Sequence, residues 1–401
     1  MDQKTSPVHI KHTPISAPKP KIIVVGLGGG GCNAVNRMIE FGMKGVEFIA
    51  CNTDRQALES SLAEKTIQLG PKCTRGLGAG GLPSIGEKAA EESFQTLANA
   101  LEGADMVFLT AGMGGGTGTG AIPVAARVAK TIGAVTIAVV TTPFSFEMGR
   151  RQKNAAFGLK KLRQHTDTMI TVSNDRLLEV APPDLPLEMA FKLADDVLRQ
   201  GVNGISELLT ETGLINVDFA HVRRVMSLGG GALMAIGTGE GEDKAFKALQ
   251  KALHHPMLDD VNLDSAAGII ANFTGGSDLT FAEVTDTLNY LHEQTGHQAE
   301  IIPGVINDPN LTNRAQVILV VTGLGALPIE QVIPGAEKYL AELAAAVSEP
   351  QLEKTSQPEP VNKYYERTSR GQPAYSFPQA QPTVMSTNLD VPAFLRKRVK
   401  G

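Results

Sequence analysis

Seven consecutive residues, Gly114-Gly115-Gly116-Thr117-Gly118-Thr119-Gly120, combine five glycines with two hydroxyl side chains. Such a segment offers bare backbone N–H groups, has no Cβ to hold a ligand away, and gains partial positive charge from a helix that follows it. The chemistry this suits is phosphate binding. Two further clusters have the same character: Gly26-Leu27-Gly28-Gly29-Gly30-Gly31 and Gly76-Leu77-Gly78-Ala79-Gly80-Gly81. The first satisfies GxGxxG, and Asp54 follows at a distance suited to a ribose contact, so a nicotinamide-dependent oxidoreductase is one reading. That reading leaves the other two clusters without a role. Three such loops at successive strand ends suit a polyphosphate better than a single pyrophosphate. Neither a GxxxxGK[ST] loop nor an NKxD guanine motif occurs, so the site would work without a P-loop lysine.

The elements that must hold these loops follow from apolar patterning. Strands are expected at Lys21–Gly26, Val46–Asn52, Met106–Leu109, Ala134–Val140 and Thr168–Val172. Helices are expected at Asn33–Glu40, Ile85–Leu101, Thr119–Lys130 and Asn154–Gln164. Alternation of this kind predicts a mostly parallel sheet with helices on both faces. Leu187, Phe191, Ala194, Leu198, Val202, Ile205 and Leu209 then recur at spacings of three and four, which predicts a long central helix. Its length of about 23 residues is roughly 35 Å. Afterwards the pattern restarts. Strands at Ala232–Thr238, Gly268–Phe273, Ile301–Ile306 and Val317–Val321, with helices at Asp243–Leu253 and Thr280–Glu293, predict a second α/β domain.

Composition narrows the function classes. At 401 residues the chain is long enough for two domains and extensions. A net charge of −5 argues against a general nucleic-acid binder, and the absence of Trp argues against base-stacking surfaces. Cys32, Cys51 and Cys73 lack CxxC spacing and paired histidines. They read as small buried residues in a reducing compartment, with no protein metal ligands assigned. The first twenty residues contain no apolar core of a signal peptide, and no apolar run of about 18 residues occurs. The expectation is a soluble cytoplasmic protein without membrane insertion.

The ordered motifs carry a resemblance. The 114–120 run, preceded by Thr110-Ala111-Gly112-Met113, resembles the signature loop of the tubulin/FtsZ family. Asn52-Thr53-Asp54, Pro143-Phe144-Ser145-Phe146-Glu147, Asn174-Asp175-Arg176-Leu177-Leu178 and Asn216-Val217-Asp218-Phe219-Ala220 are similar to further FtsZ segments, in the same order. The similarity covers about 21–325 and resumes at Leu389–Arg398. It implies a tubulin-like bacterial cell-division GTPase of the α/β class, with a parallel-sheet GTP-binding domain joined by a long central helix to a smaller α/β domain. The corresponding divisions are a disordered arm at 1–20, the GTP-binding domain at 21–186 and the central helix at 187–210. A catalytic loop and its helix occupy 211–229, the second domain 230–325 and a trailing helical segment 326–347. A flexible linker at 348–387 and a partner-binding peptide at 388–401 complete the chain.

The resemblance also implies roles. Gly28, Gly29 and Gly30 approach the phosphates of GTP or GDP, Gly114, Gly115, Gly116, Thr117, Gly118 and Thr119 cradle them, and Ala79 and Gly80 sense the terminal phosphate. Asn52 and Asp54 belong to the same binding set. Glu147 and Arg151 contact ribose and phosphate, while Asn33, Asn174, Phe191 and Asp196 form the guanine pocket, with Asp195 read as a solvated neighbour. Mg2+ and K+ are the accompanying cations. Asn216, Asp218 and His221 form the catalytic set, and Asp218 lies on the order of 30 Å from the nucleotide end of the helix. It would therefore act on the nucleotide of the next subunit in a head-to-tail polymer. The family reads Asp-Phe-Ala-Asp at this loop, whereas this chain reads Asp218-Phe219-Ala220-His221. A histidine can orient water but supplies no negative charge when neutral. A GTP-binding scaffold with little hydrolysis is therefore the second reading. Leu389–Arg398 resembles the peptide that binds membrane-tethering and regulatory division proteins, on a linker of roughly 40 residues reaching about 35 Å. The implied location is the midcell division ring.

Overall fold

The computed structural model describes residues 19–147, 149–182, 184–210, 213–215, 217–229, 231–258 and 263–324, together with 333, 336, 337 and 339–341. The linker, the terminal peptide and Asn216 lie outside these residues.

Each apolar run of the first 175 residues becomes a strand of one sheet. β1 (Ile22–Leu27) runs into α1 (Gly28–Glu40), β2 (Glu47–Asn52) into α2 (Arg55–Glu59), and β3 (Lys65–Gln68) forms an edge. Helices α3 (Pro83–Glu92) and α4 (Phe94–Leu101) lead to β4 (Met106–Gly112), followed by α5 (Thr117–Thr131) and β5 (Val135–Thr142). α6 (Arg150–Leu162), β6 (Thr168–Ser173) and α7 (Asn174–Glu179) complete this half. The strand order is β3-β2-β1-β4-β5-β6, and every pairing is parallel. Parallel neighbours need crossovers, which the helices supply.

Side-chain alternation along the strands builds two cores. Ile23, Val25 and Leu27 of β1 join Val107 and Leu109 of β4 under α3, α4, α5 and α6. Ile22, Val24, Met106 and Phe108 face the other way, against Val35 and Met38 of α1. That second core also takes in α8 (Leu187–Thr210), the long helix, through Ala194, Leu198, Val202 and Ile205. Fully burying each of the three larger ones, Leu198, Val202 and Ile205, is worth about 1.5–3 kcal/mol. Two glycines let α8 sit close on the sheet. A Cβ at Gly201 would come within 2.9 Å of the Met234 sulfur, and one at Gly204 within 2.9 Å of the Ile318 side chain. Leu187, placed on the apolar face by its spacing, is half exposed instead.

After α8 come α9 (Phe219–Met226), β7 (Gly231–Glu240), α10 (Lys244–Leu253), β8 (Gly268–Gly275), α11 (Phe281–Gln294), β9 (Glu300–Asn307) and β10 (Arg314–Thr322). The sheet continues without a break as β6-β7-β10-β8-β9. β7 pairs in parallel with β6 through Met169–Gly231 and Ile170–Ala232, β10 runs antiparallel to β7 and β8, and β9 is parallel to β8. The restart in the sequence is thus a change of strand direction and helix layer within one ten-stranded sheet.

Some boundaries differ from the patterning. α1 begins at Gly28 rather than Asn33, because the glycine cluster forms its first turn. The helix expected at Ile85–Leu101 breaks at Ser93, whose hydroxyl accepts from the Gly70 amide at 2.9 Å. β3 was not expected, being four residues long and largely solvent-facing. Cys32 and Cys51 are buried, but Cys73 is exposed. Among the described residues no helix is long and apolar enough to cross a membrane.

Candidate functional site

In an open parallel sheet, ligands sit outside the carboxyl ends of the strands where the chain order reverses. Here β1 lies between β2 and β4, so its two neighbours are reached in opposite directions. The loops after β1 and β4 diverge at that point, and they are two of the glycine clusters. Gly28 has φ +70°, and a Cβ there would lie 2.7 Å from the Gly118 nitrogen. A Cβ at Gly31 would lie 2.3 Å from the Thr110 carbonyl oxygen. The loops are therefore in contact through bare backbone, while Gly29 and Gly30 are exposed with their amides at the N-terminus of α1.

The Gly114 amide donates to Thr119 Oγ1 at 2.8 Å, which curls this loop onto the start of α5. Gly114 has φ +103°, a conformation open to glycine, and its Cα faces the Arg151 backbone. Thr117 and Thr53 share a hydrogen bond of 2.6 Å between their hydroxyls, tying α5 to the end of β2. The third cluster closes that side. The Gly78 amide donates to the Thr53 carbonyl at 3.1 Å, and a Cβ at Gly116 would lie 2.7 Å from the Leu82 nitrogen. Ala79 is buried and Gly80 exposed. Asn52 is buried beneath, its Oδ1 accepting from the Asp54 amide at 3.2 Å. The Asp54 carboxylate caps α2 by accepting from the Gln56 amide at 2.9 Å. This capping bond uses one of its two carboxylate oxygens. Cys32 sits under the same loops, and burial pushes its thiol up to about 12, which leaves it inert.

At the ends of β5 and β6 the wall becomes aromatic. Phe144 is buried, stacks on the exposed Phe146 with ring centres 5.0 Å apart, and meets Phe191 of α8 edge-on at 5.4 Å. Glu147 accepts from the Phe144 amide at 3.0 Å and pairs with Arg151 at 2.7 Å. Asn174 opens α7 and is buried, yet its Oδ1 has no hydrogen-bond partner. An unpaired buried acceptor costs about 1–3 kcal/mol, which a donor on a purine base would recover. The chemistry of this wall therefore fits a base, as the glycine loops fit phosphates.

The two adjacent aspartates of α8 have different partners. Asp196 bonds Arg199 at 2.7 Å and Gln200 at 2.6 Å on its own helix. Asp195, one turn beyond Phe191, points to α1 and pairs with Arg37 at 3.3 Å. It is no solvated neighbour. Burial pushes its carboxyl up to about 6, against the pull of the Arg37 guanidinium. Asn33 of α1 is exposed one turn before Arg37. Sequence reasoning missed Arg37 and its pairing with Asp195. The four-residue step from Phe191 to Asp195 was the available signal.

Asp218 and His221 are not brought to these loops. Asp218 caps α9, its Oδ1 accepting from the Ala220 amide at 3.3 Å, and both residues are exposed. The stretch of α8 from Phe191 to Thr210 separates this end from the aromatic wall by roughly 29 Å. Among the described residues no three His, Cys, Asp or Glu side chains cluster as a metal site.

Residues 21–182 match the Tubulin/FtsZ family, GTPase domain, and residues 230–325 match the FtsZ family, C-terminal domain. The structure superposes on an FtsZ dimer from M. jannaschii with TM-score 0.74 and 47% identity, covering 77% of this chain and 89% of that one. A mutant FtsZ from M. jannaschii gives TM-score 0.73 and 48% identity, covering 76% and 91%. CetZ2 from Haloferax volcanii shares the fold, with TM-score 0.68 at 20% identity over 81% of this chain and 99% of that chain. Glycine loops at the switch point, an aromatic wall with an unfilled Asn174 acceptor and these similarities converge: the chain belongs to the FtsZ family.

Proposed function

We propose that this protein is a cytoskeletal GTPase that polymerises head-to-tail into filaments, builds the cytoplasmic division ring at midcell, and hydrolyses GTP between subunits. Family membership supports guanine-nucleotide binding and GTPase activity in general. The observation that carries the finer reading is the separation of Asp218 from the glycine loops by the length of α8. A carboxylate on the order of 30 Å away cannot act on a nucleotide in its own subunit, but a neighbour stacked end to end presents it. Self-association of the similar FtsZ from M. jannaschii, solved as a dimer, supports this.

In this mechanism the amides of Gly28, Gly29, Gly30 and the Gly114–Thr119 loop bind the phosphates. Phe191, Asn33, Asn174 and Asp196 hold the base, with the Asp195–Arg37 pair beside them, and Asn52, Glu147 and Arg151 flank the sugar and phosphates. Asp218 of the adjoining subunit orients the attacking water, with Asn216 beside it in sequence. Mg2+ and K+ would neutralise phosphate charge when bound. Leu389–Arg398 would tether the filament to membrane-bound and regulatory division proteins. GTP turnover measured against protein concentration tests the shared site. Turnover per molecule should rise with concentration before saturating, and a constant value overturns the proposal.

His221 supports the second reading, a slow or silent scaffold. His221→Asp should raise GTP turnover several-fold, within the roughly 10²-fold that one catalytic charge supplies. Phosphate release no faster than the parent's would remove His221 as the cause of slow hydrolysis. Asp195 gives a pH prediction. To pair with Arg37 and hold α1 against α8 beside the base pocket its carboxyl must be ionised, and its folded value lies near 6 against an ordinary 3.8. Guanine-nucleotide affinity should therefore fall as pH drops through about 6. The raised value also means that the folded protein binds the extra proton first. This group's contribution to stability consequently falls as pH rises from 4 to 6, by at most ~3 kcal/mol. Titrations of Asp195→Asn against the parent should show both slopes reduced.

A further inference from the structure

Asn154 lies on the second turn of α6, three residues after Arg151. Its Nδ2 donates to the Gly81 carbonyl at 3.2 Å and to the Gly114 carbonyl at 3.0 Å. One amide nitrogen has two hydrogens, so a single side chain holds two separate loops. Among the described residues no backbone hydrogen bond joins 79–82 to 114–116. The N-cap of α3, Leu82, contributes no side-chain bond of its own.

The direction of these two bonds matters. A peptide unit is planar and trans, so its C=O and N–H point opposite ways. Holding the Gly114 carbonyl against α6 turns the Gly115 amide away from α6. Gly115, Gly80 and Gly81 all border open space, since an added Cβ at each would meet no atom within 4 Å. The Gly80 and Gly81 amides donate to no described group. The Gly81 carbonyl shares its peptide with the Leu82 amide, which donates to the Ala79 carbonyl at 3.0 Å, so Asn154 anchors the closed end of this turn and leaves the Gly80 and Gly81 amides free.

Strand order shows which part of a ligand would meet them. The aromatic wall stands at β5 and β6, the central glycine loops at β4 and β1, and the 76–82 loop at the end of β2. Neighbouring strands are about 4.8 Å apart, so a nucleotide lying across these ends brings its last phosphate to the 79–82 stretch. We propose that Asn154 is a positioning residue that locks 79–82 to the Gly114–Thr119 loop and thereby sets the preference for nucleoside triphosphate over diphosphate. The inference rests on the nucleotide site proposed above.

The test is competitive displacement of a fluorescent GDP from the full chain, at a concentration below assembly. Unlabelled GDP and a β,γ-methylene GTP analogue serve as competitors. Asn154→Ala should weaken the triphosphate analogue by about fivefold to tenfold, the order of one to two hydrogen bonds, with GDP held within about twofold. Asn154→Asp should do more, because a carboxylate then faces two carbonyls. Asn154→Gln keeps the donors on a longer arm and should recover part of the preference. Equal weakening of both nucleotides, or no change in either, overturns the proposal. If Asn154→Asp fails to fold, the alanine and glutamine variants decide it. A parent chain that binds neither nucleotide would instead overturn the nucleotide site itself.

Discussion

Replacing Asp218 with alanine should lower GTP turnover by about 10²–10³-fold while leaving the affinity of the isolated subunit for GTP within about twofold. The expected loss is large because the reaction consists of orienting a water in line with a phosphoryl group, with little covalent work for the protein to do. Binding should survive because Asp218 touches none of the nucleotide loops. Its local role is the cap on the Ala220 amide, a long bond of 3.3 Å, worth about 1 kcal/mol to α9. Asp218→Asn can still accept at that cap but loses the charge. It should melt like the parent and hydrolyse like the alanine variant. Equal turnover in Asp218→Asn and the parent would remove the carboxylate from the mechanism.

The second large effect is expected at Gly28. Alanine there must adopt φ +70°, costing about 1–2 kcal/mol, and its Cβ would press to 2.7 Å from the Gly118 nitrogen. The neighbour is backbone in the first turn of α5 and cannot rotate aside. Gly28→Ala should therefore push the two phosphate loops apart, reduce GTP affinity by at least about 100-fold, and lower stability by ~2–4 kcal/mol. Urea unfolding and nucleotide titration together check this. Unchanged affinity would show that the β1 and β4 loops do not bind jointly. The two variants also test each other. Gly28→Ala still carries Asp218, and Asp218→Ala still binds nucleotide. Mixed together, they should regain turnover at interfaces where each supplies what the other lacks. A mixture as inactive as its parts would refute a site completed by a neighbour.

The glycine loops were legible because their physical demand is local. A tight turn beside phosphate needs residues without Cβ, and the flanking apolar runs reveal the strand and helix that deliver them. Phe191 was legible only through resemblance, since its spacing equally suits a core residue. The different partners of Asp195 and Asp196 were hidden because adjacent helical residues point about 100° apart. The choice between them depends on where α1 lies, which the sequence of α8 does not encode. Asn154 was invisible for a similar reason. Its two carbonyl partners are 73 and 40 residues away, and nothing in α6 alone marks an asparagine as a clamp. Ser93 shows the local counterpart: a helical pattern ended by a hydroxyl engaged with a distant amide.

The junction between β6 and β7 has a mechanical consequence. Among the described residues two pairs join these strands, whereas eight join β7 to β10 on the far side. Hydrogen bonds loaded together share a force, so a short seam yields before a long one. When one half of the molecule is pulled or bent against the other, deformation concentrates at Met169–Gly231 and Ile170–Ala232. The helix α8, lowered onto both halves by Gly201 and Gly204, resists that deformation like a splint across a joint. Bending of the subunit is therefore set by the balance between this short seam and the helix that spans it.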